Sequence, residues 1–232
     1  MFWKNCFRIV ASVAMATSLA GAAILNGGFE SGDFNNWSAV GSTSVSLGQD
    51  YPDIAFVSPD TGVYAAQLTS SGTTAASLAA QMSITVEDLN GSNAGFEAAE
   101  GAMIWQSTYA NAGDVIQFRW NFVALDDGGL YDDWSFLGVQ YGSNSTVLTR
   151  LASVNEVVGG GVTGWTTQTI PITQTGSYTI YFGVVNARDD LFPSDLWIDS
   201  VEGGSEVPEP AAFALLVPVL AAILLRSRRG NL

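Results

Sequence analysis

Alternation of apolar and polar residues dominates the middle of the chain. Every second residue from Ile116 to Ala124 is apolar or aromatic, and the positions between them include Gln117, Arg119 and Asn121. A period of two predicts a β-strand with one face in the core. Residues 178–185 carry apolar or aromatic side chains on both faces, which predicts an inner strand of a sheet.

Further short apolar runs, bounded by Gly, Pro and Asp, predict additional strands. They cover residues 40–47, 55–57, 63–68, 103–109, 134–139, 147–151 and 164–172. Ala112-Gly113-Asp114 predicts a hairpin turn, and residues 83–89 predict a strand followed by a helical turn. The pattern indicates an all-β chain with a single antiparallel, jelly-roll-like β-sandwich.

Both ends of the chain have the composition of targeting segments. Lys4 and Arg8 precede an apolar stretch over residues 9–20, and Ala20-Gly21-Ala22 suits signal-peptide cleavage. At the other end, an uncharged apolar run over residues 211–225 precedes three arginines. We therefore expect a helical signal peptide at 1–23, a sandwich at 24–202, a linker at 203–207 and a sorting tail at 208–232 with an apolar transmembrane helix at 211–225.

The C-terminal tail resembles the PEP-CTERM sorting signal of Gram-negative bacteria. The resemblance rests on Pro208-Glu209-Pro210, the apolar run after it, and the terminal Arg226, Arg228 and Arg229. It implies an exosortase as partner, transit through the inner membrane, cleavage near the motif, and delivery to the cell surface or an exopolysaccharide matrix. The alternative is a plain membrane anchor, although fifteen apolar residues with Pro218 among them fall short of the roughly 20 that span a bilayer.

The charge of the central segment excludes several classes of function. Residues 24–206 contain three basic and 21 acidic residues, a formal charge of −18 with no lysine or histidine. Such a surface disfavours nucleic acids and anionic lipids and favours divalent cations. The only cysteine, Cys6, lies in the predicted signal peptide. Without histidine or cysteine the mature chain lacks the base of Ser-His and Cys-His mechanisms. No carboxylate pair stands out as a glycosidase pair, so we expect no enzyme.

The passage beginning Asn26-Gly27-Gly28-Phe29-Glu30 and ending at Trp37 resembles the opening of jelly-roll carbohydrate-binding modules. In several such modules this glutamate and an aspartate of the last strand help to hold a structural calcium ion. The resemblance implies Glu30 and Asp199 as calcium ligands here. The alternative is that Glu30 caps or solvates a loop.

Two acidic loops provide a second set of candidate calcium ligands. Residues 126–133 contain four carboxylates, and residues 186–195 follow the predicted inner strand. Loops at one end of a β-sandwich gather residues that are distant in sequence. This predicts a calcium site formed by Asp133, Asn186, Asp190 and Asp195, with solvated surface as the alternative.

Two functional hypotheses remain open from the sequence. The first is a non-catalytic, calcium-stabilised surface or matrix protein, and the second is a module that binds extracellular polysaccharide through exposed aromatic residues. The stacking candidates are Trp37, Tyr131, Trp165 and Trp197. Burial of the tryptophans would favour the first hypothesis, and their exposure would favour the second.

Overall fold

The computed structural model describes residues 22–126, 128–157 and 161–205. Its strands are β1 (Ser38–Val40), β2 (Ser42–Ser46), β3 (Gln49–Tyr51), β4 (Ala55–Val57), β5 (Ala65–Thr69), β6 (Thr73–Thr74), β7 (Ala98–Ala110), β8 (Asp114–Ala124), β9 (Trp134–Tyr141), β10 (Val147–Ser153), β11 (Gly161–Val162), β12 (Thr166–Pro171), β13 (Gly176–Ala187) and β14 (Asp195–Ser205). The helices are α1 (Ala75–Gln81) and α2 (Val86–Gly91).

Two antiparallel six-stranded sheets form the predicted β-sandwich. Sheet I has the order β1-β7-β13-β9-β10, with β6 also paired to β7. Sheet II has the order β11-β8-β14-β5-β2, with β12 also paired to β8. The all-β class and the antiparallel arrangement are confirmed. Strand β13 lies between β7 and β9, as its apolar side chains on both faces predict.

The main core lies between the two sheets and follows the alternation seen in the sequence. The inward positions of β8, from Ile116 to Ala124, are buried against Ile180, Phe182 and Val184 of β13 within one hydrophobic cluster. Phe118 and Phe182 bring their ring centroids to 4.7 Å across the interface. Burial of each large apolar side chain contributes roughly 1.5–3 kcal/mol, so this strand pair is central to the stability of the sandwich.

Each sheet also has a partly covered outer face. The helices α1 and α2 place Leu78, Met82 and Leu89 against sheet I, where Trp134 and Phe136 are buried. The two-stranded β3–β4 hairpin covers sheet II and buries Tyr51 and Val57 beside Trp197 of β14. The second face of each sheet is therefore apolar where an element lies over it.

Residues 75–91 differ from their predicted structure. The sequence predicted a strand followed by a helical turn over residues 83–89, but two short helices form. Thr74 caps α1 by accepting a hydrogen bond from the Ser77 amide, and Thr85 and Asp88 form a reciprocal capping box at the start of α2. The capping box supplies hydrogen-bond acceptors to backbone amides that have none within the first turn of a helix.

The predicted hairpin at Ala112-Gly113-Asp114 is wrong. Strand β7 belongs to sheet I and pairs with β1, β6 and β13, whereas β8 belongs to sheet II and pairs with β11, β12 and β14. The turn reverses the chain but carries it across the sandwich. Turn residues determine the reversal, whereas the packing of the two inner faces determines which strands become neighbours.

The C-terminal boundary of the sandwich also differs from the prediction. Strand β14 continues to Ser205, because Gly203 and Gly204 pair with Ile116 and Val115 of β8. The segment predicted as a linker at 203–207 is therefore strand in its first part. Residues 1–21 of the predicted signal peptide, the predicted C-terminal helix and the predicted sorting motif lie outside the described residues. Within the described residues, neither helix has the length and apolar character needed to cross a membrane.

Candidate functional site

The two acidic loops meet at one end of the sandwich. Residues 125–133 lead from the end of β8 in sheet II to the start of β9 in sheet I, and residues 188–194 lead from β13 back to β14. Val123 pairs with Asp195, and Val185 pairs with Trp134, so both loops cross between the sheets at the same end of the sandwich. The predicted convergence of these loops follows from that register.

An open cleft of about 430 Å³ separates the two loops. We call it the loop cleft, and it is lined by Asp126, Gly128, Leu130, Tyr131, Asp189, Leu191 and Phe192. The exposed fraction is 41% for Tyr131 and 68% for Phe192, and Leu130 and Leu191 are also exposed. Aromatic and aliphatic surface therefore lies beside carboxylates in one concave, solvent-accessible place.

Phe192 has an unusual backbone conformation for an aromatic residue. Its φ is +49°, in the left-handed region that bulky residues rarely adopt. The strain is not offset by burial, since the side chain is mostly exposed. Strained residues of this kind cluster at ligand-binding sites, which makes Phe192 the main functional candidate that sequence reasoning missed. The signal available was the apolar pair Leu191-Phe192 within an acidic loop.

Asp133 holds the loop ends together from inside the protein. Its Oδ1 accepts a hydrogen bond from the Ala187 amide at 2.9 Å, and its Oδ2 accepts from the Ser194 amide at 3.1 Å and the Ser70 hydroxyl at 3.2 Å. Burial raises the pKa of Asp133 to about 6; the donors on Ala187 and Ser194 oppose the rise, and the charge of Asp126 adds to it. Asp133 therefore acts as a structural anchor in this geometry.

A second cleft, of about 460 Å³, adjoins the first. We call it the hairpin cleft, and it is lined by Gln49, Gln67, Thr69, Leu125, Phe192, Pro193 and Asp195. Asp195 accepts hydrogen bonds on Oδ2 from the Tyr51 hydroxyl and from Gln67 Nε2. Phe192 lines both clefts, so the two depressions adjoin at this residue.

The four predicted stacking residues divide into two groups. Trp37 and Trp197 are buried, and their indole nitrogens donate to the Asn26 carbonyl and the Tyr51 hydroxyl. Trp165 is half-buried and donates to the Ser58 carbonyl at 3.0 Å. Of the four, only Tyr131 lines the loop cleft, and none lines the hairpin cleft. The two buried tryptophans therefore belong to the packing of the sandwich.

Glu30 and Asp199 hold the same loop, residues 60–64. The Glu30 carboxylate accepts hydrogen bonds from the amides of Val63 at 2.9 Å and Tyr64 at 3.0 Å, and Asp199 Oδ2 accepts from the Thr61 amide at 3.0 Å. Gly62 in this loop has a φ of +63°, which favours glycine, and a Cβ there would displace the Glu30 carboxylate, whose Oε1 would lie 2.3 Å away. Burial raises the pKa of Asp199, and backbone amides oppose the rise.

The side chains of Glu30 and Asp199 offer the kind of oxygen ligands that calcium binds. Carboxylate oxygens are preferred calcium ligands, although both carboxylates already accept hydrogen bonds from backbone amides. Two carboxylates supply only part of the six to eight oxygens that calcium takes. In residues 22–126, 128–157 and 161–205, no group of three or more acidic side chains is placed to hold a metal ion. Calcium at Glu30 and Asp199 stays a prediction.

The second predicted calcium set is spread over different surroundings. Asp195 binds Tyr51 and Gln67 beneath the β3–β4 hairpin, whereas Asp190 is exposed. Asn186 is buried, and its amide nitrogen donates to the Leu191 carbonyl at 3.2 Å. Asp133 directs its oxygens to the amides of Ala187 and Ser194. The structure brings the two loops together without bringing these four side chains to a common point.

Comparisons with known proteins concern the architecture. Neither a protein-family model nor a curated protein sequence matches the chain. TmCBM61, solved in complex with β-1,4-galactotriose, is 18% identical with a TM-score of 0.46, over 81% of this chain and 100% of that one. The CBM22-1 xylan-binding domain of Paenibacillus barcinonensis Xyn10C is 16% identical with a TM-score of 0.35, over 76% and 89%.

A cyclase from Fischerella sp. TAU has a TM-score of 0.44 at 10% identity, over 80% of this chain and 98% of that one. Similar solved structures thus include carbohydrate-binding modules and an enzyme. At these identities the likeness is limited to the fold.

Proposed function

We propose that this chain is a non-catalytic carbohydrate-binding module that binds polysaccharide at the loop cleft. The observation that carries the proposal is the convergence of the two acidic loops on one open cleft where Tyr131 and Phe192 are exposed beside Asp126 and Asp189. Of the two hypotheses left open by the sequence, structural adhesion does not account for exposed aromatic surface held in a strained loop.

The cleft has the two kinds of group that a sugar ring needs. A pyranose presents C–H faces, which pack on flat aromatic surface, and a rim of hydroxyl groups that donate hydrogen bonds. Tyr131 and Phe192 supply apolar surface, and the partly exposed carboxylate of Asp189 supplies a charged acceptor, which forms hydrogen bonds roughly twice as strong as neutral ones. Ligand sites generally combine apolar lining with a few polar groups.

Affinity electrophoresis of the purified protein tests the proposal. Native gels would contain a soluble polysaccharide: β-1,4-galactan, xylan or mixed-linkage glucan. We expect at least one of them to retard migration, and we expect Phe192→Ala and Tyr131→Ala to abolish the retardation. The matched control is Tyr109→Ala, because Tyr109 is exposed and lies at the opposite end of sheet I, beside the start of β13.

Two results would contradict the proposal. One is unretarded migration of the wild-type protein in every gel. The other is retardation that Phe192→Ala and Tyr131→Ala leave unchanged, which would place the binding surface away from the loop cleft.

The proposal places the module outside the cell. Support comes from the basic and apolar N-terminal segment and from the Pro208-Glu209-Pro210 tail with its terminal arginines, which imply export, recognition by an exosortase and display on the cell surface or in an exopolysaccharide matrix. A binding module in that place would attach the chain to extracellular polysaccharide. Calcium at Glu30 and Asp199 forms part of the same proposal, as an ion that would fix the loop at 60–64.

A further inference from the structure

The hairpin cleft contains a buried acceptor that the protein does not satisfy. Asp195 is only 3% exposed, and its Oδ2 accepts hydrogen bonds from Tyr51 and Gln67. Its Oδ1 is buried and makes no hydrogen bond within the described residues. An unpaired buried acceptor costs roughly 1–3 kcal/mol, and native proteins keep few of them. A partner from outside the chain would remove this cost.

We infer that the hairpin cleft is a second subsite of the glycan site, in which Asp195 Oδ1 accepts a hydrogen bond from a hydroxyl group of an uncharged sugar. The inference rests on the proposed function and extends it by a residue, a place and a ligand class. The ligand would pass over Phe192, since that ring lines both clefts. One sugar would then pack in the loop cleft and another in the hairpin cleft.

The other groups around the hairpin cleft suit a hydroxylated ligand. Gln49 and Gln67 carry amides that donate and accept, Thr69 carries a hydroxyl, and Leu125 and Pro193 add apolar surface. Gln67 Nε2 already donates to Gln49 Oε1 at 2.8 Å and to Asp195. This network orients the carboxylate, so a ligand meets a fixed acceptor instead of a flexible side chain.

The charge of the site selects against anionic sugars. Asp126, Asp189 and Asp195 line the two clefts, and no lining residue is basic. The three arginines of the described part are engaged elsewhere. Arg119 pairs with Asp60, Arg150 pairs with Glu156, and the Arg188 guanidinium lies 5.6 Å from the centre of the Phe96 ring. A uronate or sulfate group would thus meet carboxylates without a compensating cation.

Burial raises the pKa of Asp195, and the polar side chains of Thr69, Tyr51 and Gln67 oppose the rise. Binding is therefore best measured at an alkaline pH, which favours the charged carboxylate that accepts through both oxygens.

Asp195→Asn tests the inference, because it keeps the shape of the side chain and one acceptor for Tyr51 but replaces the other oxygen with a donor. Affinity electrophoresis at alkaline pH would compare it with the wild-type protein on the neutral polysaccharide that retards migration. The matched control is Asp50→Asn, which removes the same charge from an exposed position on β3 outside both clefts. We expect Asp195→Asn to weaken binding by about tenfold or more, and Asp50→Asn to bind like the wild type.

The outcomes separate this inference from the proposed function. If Phe192→Ala abolishes binding while Asp195→Asn binds like Asp50→Asn, the second subsite is wrong and the loop cleft stands. If no neutral polysaccharide retards the wild type, both are wrong. Retardation by polygalacturonate, an acidic polymer, would overturn the uncharged ligand class. Should Asp195→Asn fail to fold, Gln49→Ala at the exposed rim replaces it: weakened binding supports the subsite, and unchanged binding overturns it.

Discussion

Asp133 at the entrance to β9 accepts a hydrogen bond of 2.9 Å from the backbone amide of Ala187 at the end of β13. The bond joins the two loops that form the loop cleft, and the carboxylate making it is buried with a pKa raised from 3.8 to about 6. The protein therefore keeps an acid at this position whose charge costs free energy in the folded state.

The first prediction is that this acid makes stability fall as the pH rises. Because the folded state binds the proton more tightly than the unfolded state does, the free energy of unfolding decreases between about pH 4 and pH 7. A shift of this size corresponds to about 3 kcal/mol over the whole window. Urea unfolding at unit intervals of pH measures it.

Asp133→Asn is the control for this effect, because asparagine stays neutral at every pH. The variant loses acceptors for Ser194 and Ser70 and is expected to be less stable at pH 4, but its deficit should shrink as the pH rises. Asp195 and Asp199, whose pKa values are also raised, remain in both proteins. Parallel pH curves for the two proteins would show that Asp133 does not titrate in this window.

The second prediction concerns calcium. If Glu30 and Asp199 bind the ion only in the folded state, saturation at a hundred times the dissociation constant adds about 2.7 kcal/mol, or about 5–10 °C in the midpoint of thermal unfolding. Unfolding would be followed in millimolar calcium and after chelation, at fixed protein concentration. Glu30→Gln should lose most of the response, and Asp50→Asn should keep it. Equal midpoints in calcium and chelator would rule out the metal hypothesis and leave these carboxylates as acceptors for the amides of the loop at 60–64.

The third prediction tests the register between β13 and β9. Gly183 lies opposite Phe136, and a Cβ on Gly183 would come within 2.2 Å of the Phe136 ring. Gly183→Ala therefore overpacks the sheet and should lower the free energy of unfolding by about 1–3 kcal/mol. Gly91→Ala is the matched control, since a Cβ there meets nothing within 4 Å at the end of α2. Equal stability of Gly183→Ala and the wild type in urea would mean that the pairing is different.

The fourth prediction separates core aromatics from ligand-binding aromatics. Trp37 is buried, packs on Phe29 and Phe182, and donates its indole N–H to the Asn26 carbonyl at 3.1 Å. Trp37→Phe should lower the free energy of unfolding by about 1–3 kcal/mol, because it removes the indole hydrogen bond and leaves a void in the core, and should leave glycan binding unchanged. Tyr131→Ala should abolish glycan binding and leave the free energy of unfolding nearly unchanged, because Tyr131 is exposed. Loss of binding in Trp37→Phe at unchanged stability would reassign Trp37 to the ligand.

The fifth prediction concerns the tail. Replacement of Pro208, Glu209 and Pro210 by alanine should keep the chain uncleaved and in the membrane fraction of a host with an exosortase, whereas Glu206→Ala, just ahead of the motif, should be processed normally. Fractionation and mass spectrometry of the C-terminus measure this. Normal release of the triple variant would exclude the motif as the sorting signal.

The strands of the sandwich were largely predictable, because alternation with a period of two follows directly from burial of one strand face. β8 and β13 match their patterns closely for that reason. Their neighbours were not predictable, since the turn at 112–114 has the residues of a hairpin and yet joins two sheets. The short helices over 75–91 were missed because their capping residues, Thr74 and Thr85, also suit strands.

The sequence by itself determined the acidity of the central segment, the lack of lysine, histidine and cysteine in it, and the alternation that makes sheets. These are properties of composition and local order. Only the tertiary structure decided that Trp37 and Trp197 are packed inside. It also decided that the loops at 125–133 and 188–194 lie at the same end of the sandwich, and that the exposed Phe192 lines two clefts. Pairing of strands distant in sequence produces each of these arrangements, and no local pattern encodes which strand becomes whose neighbour.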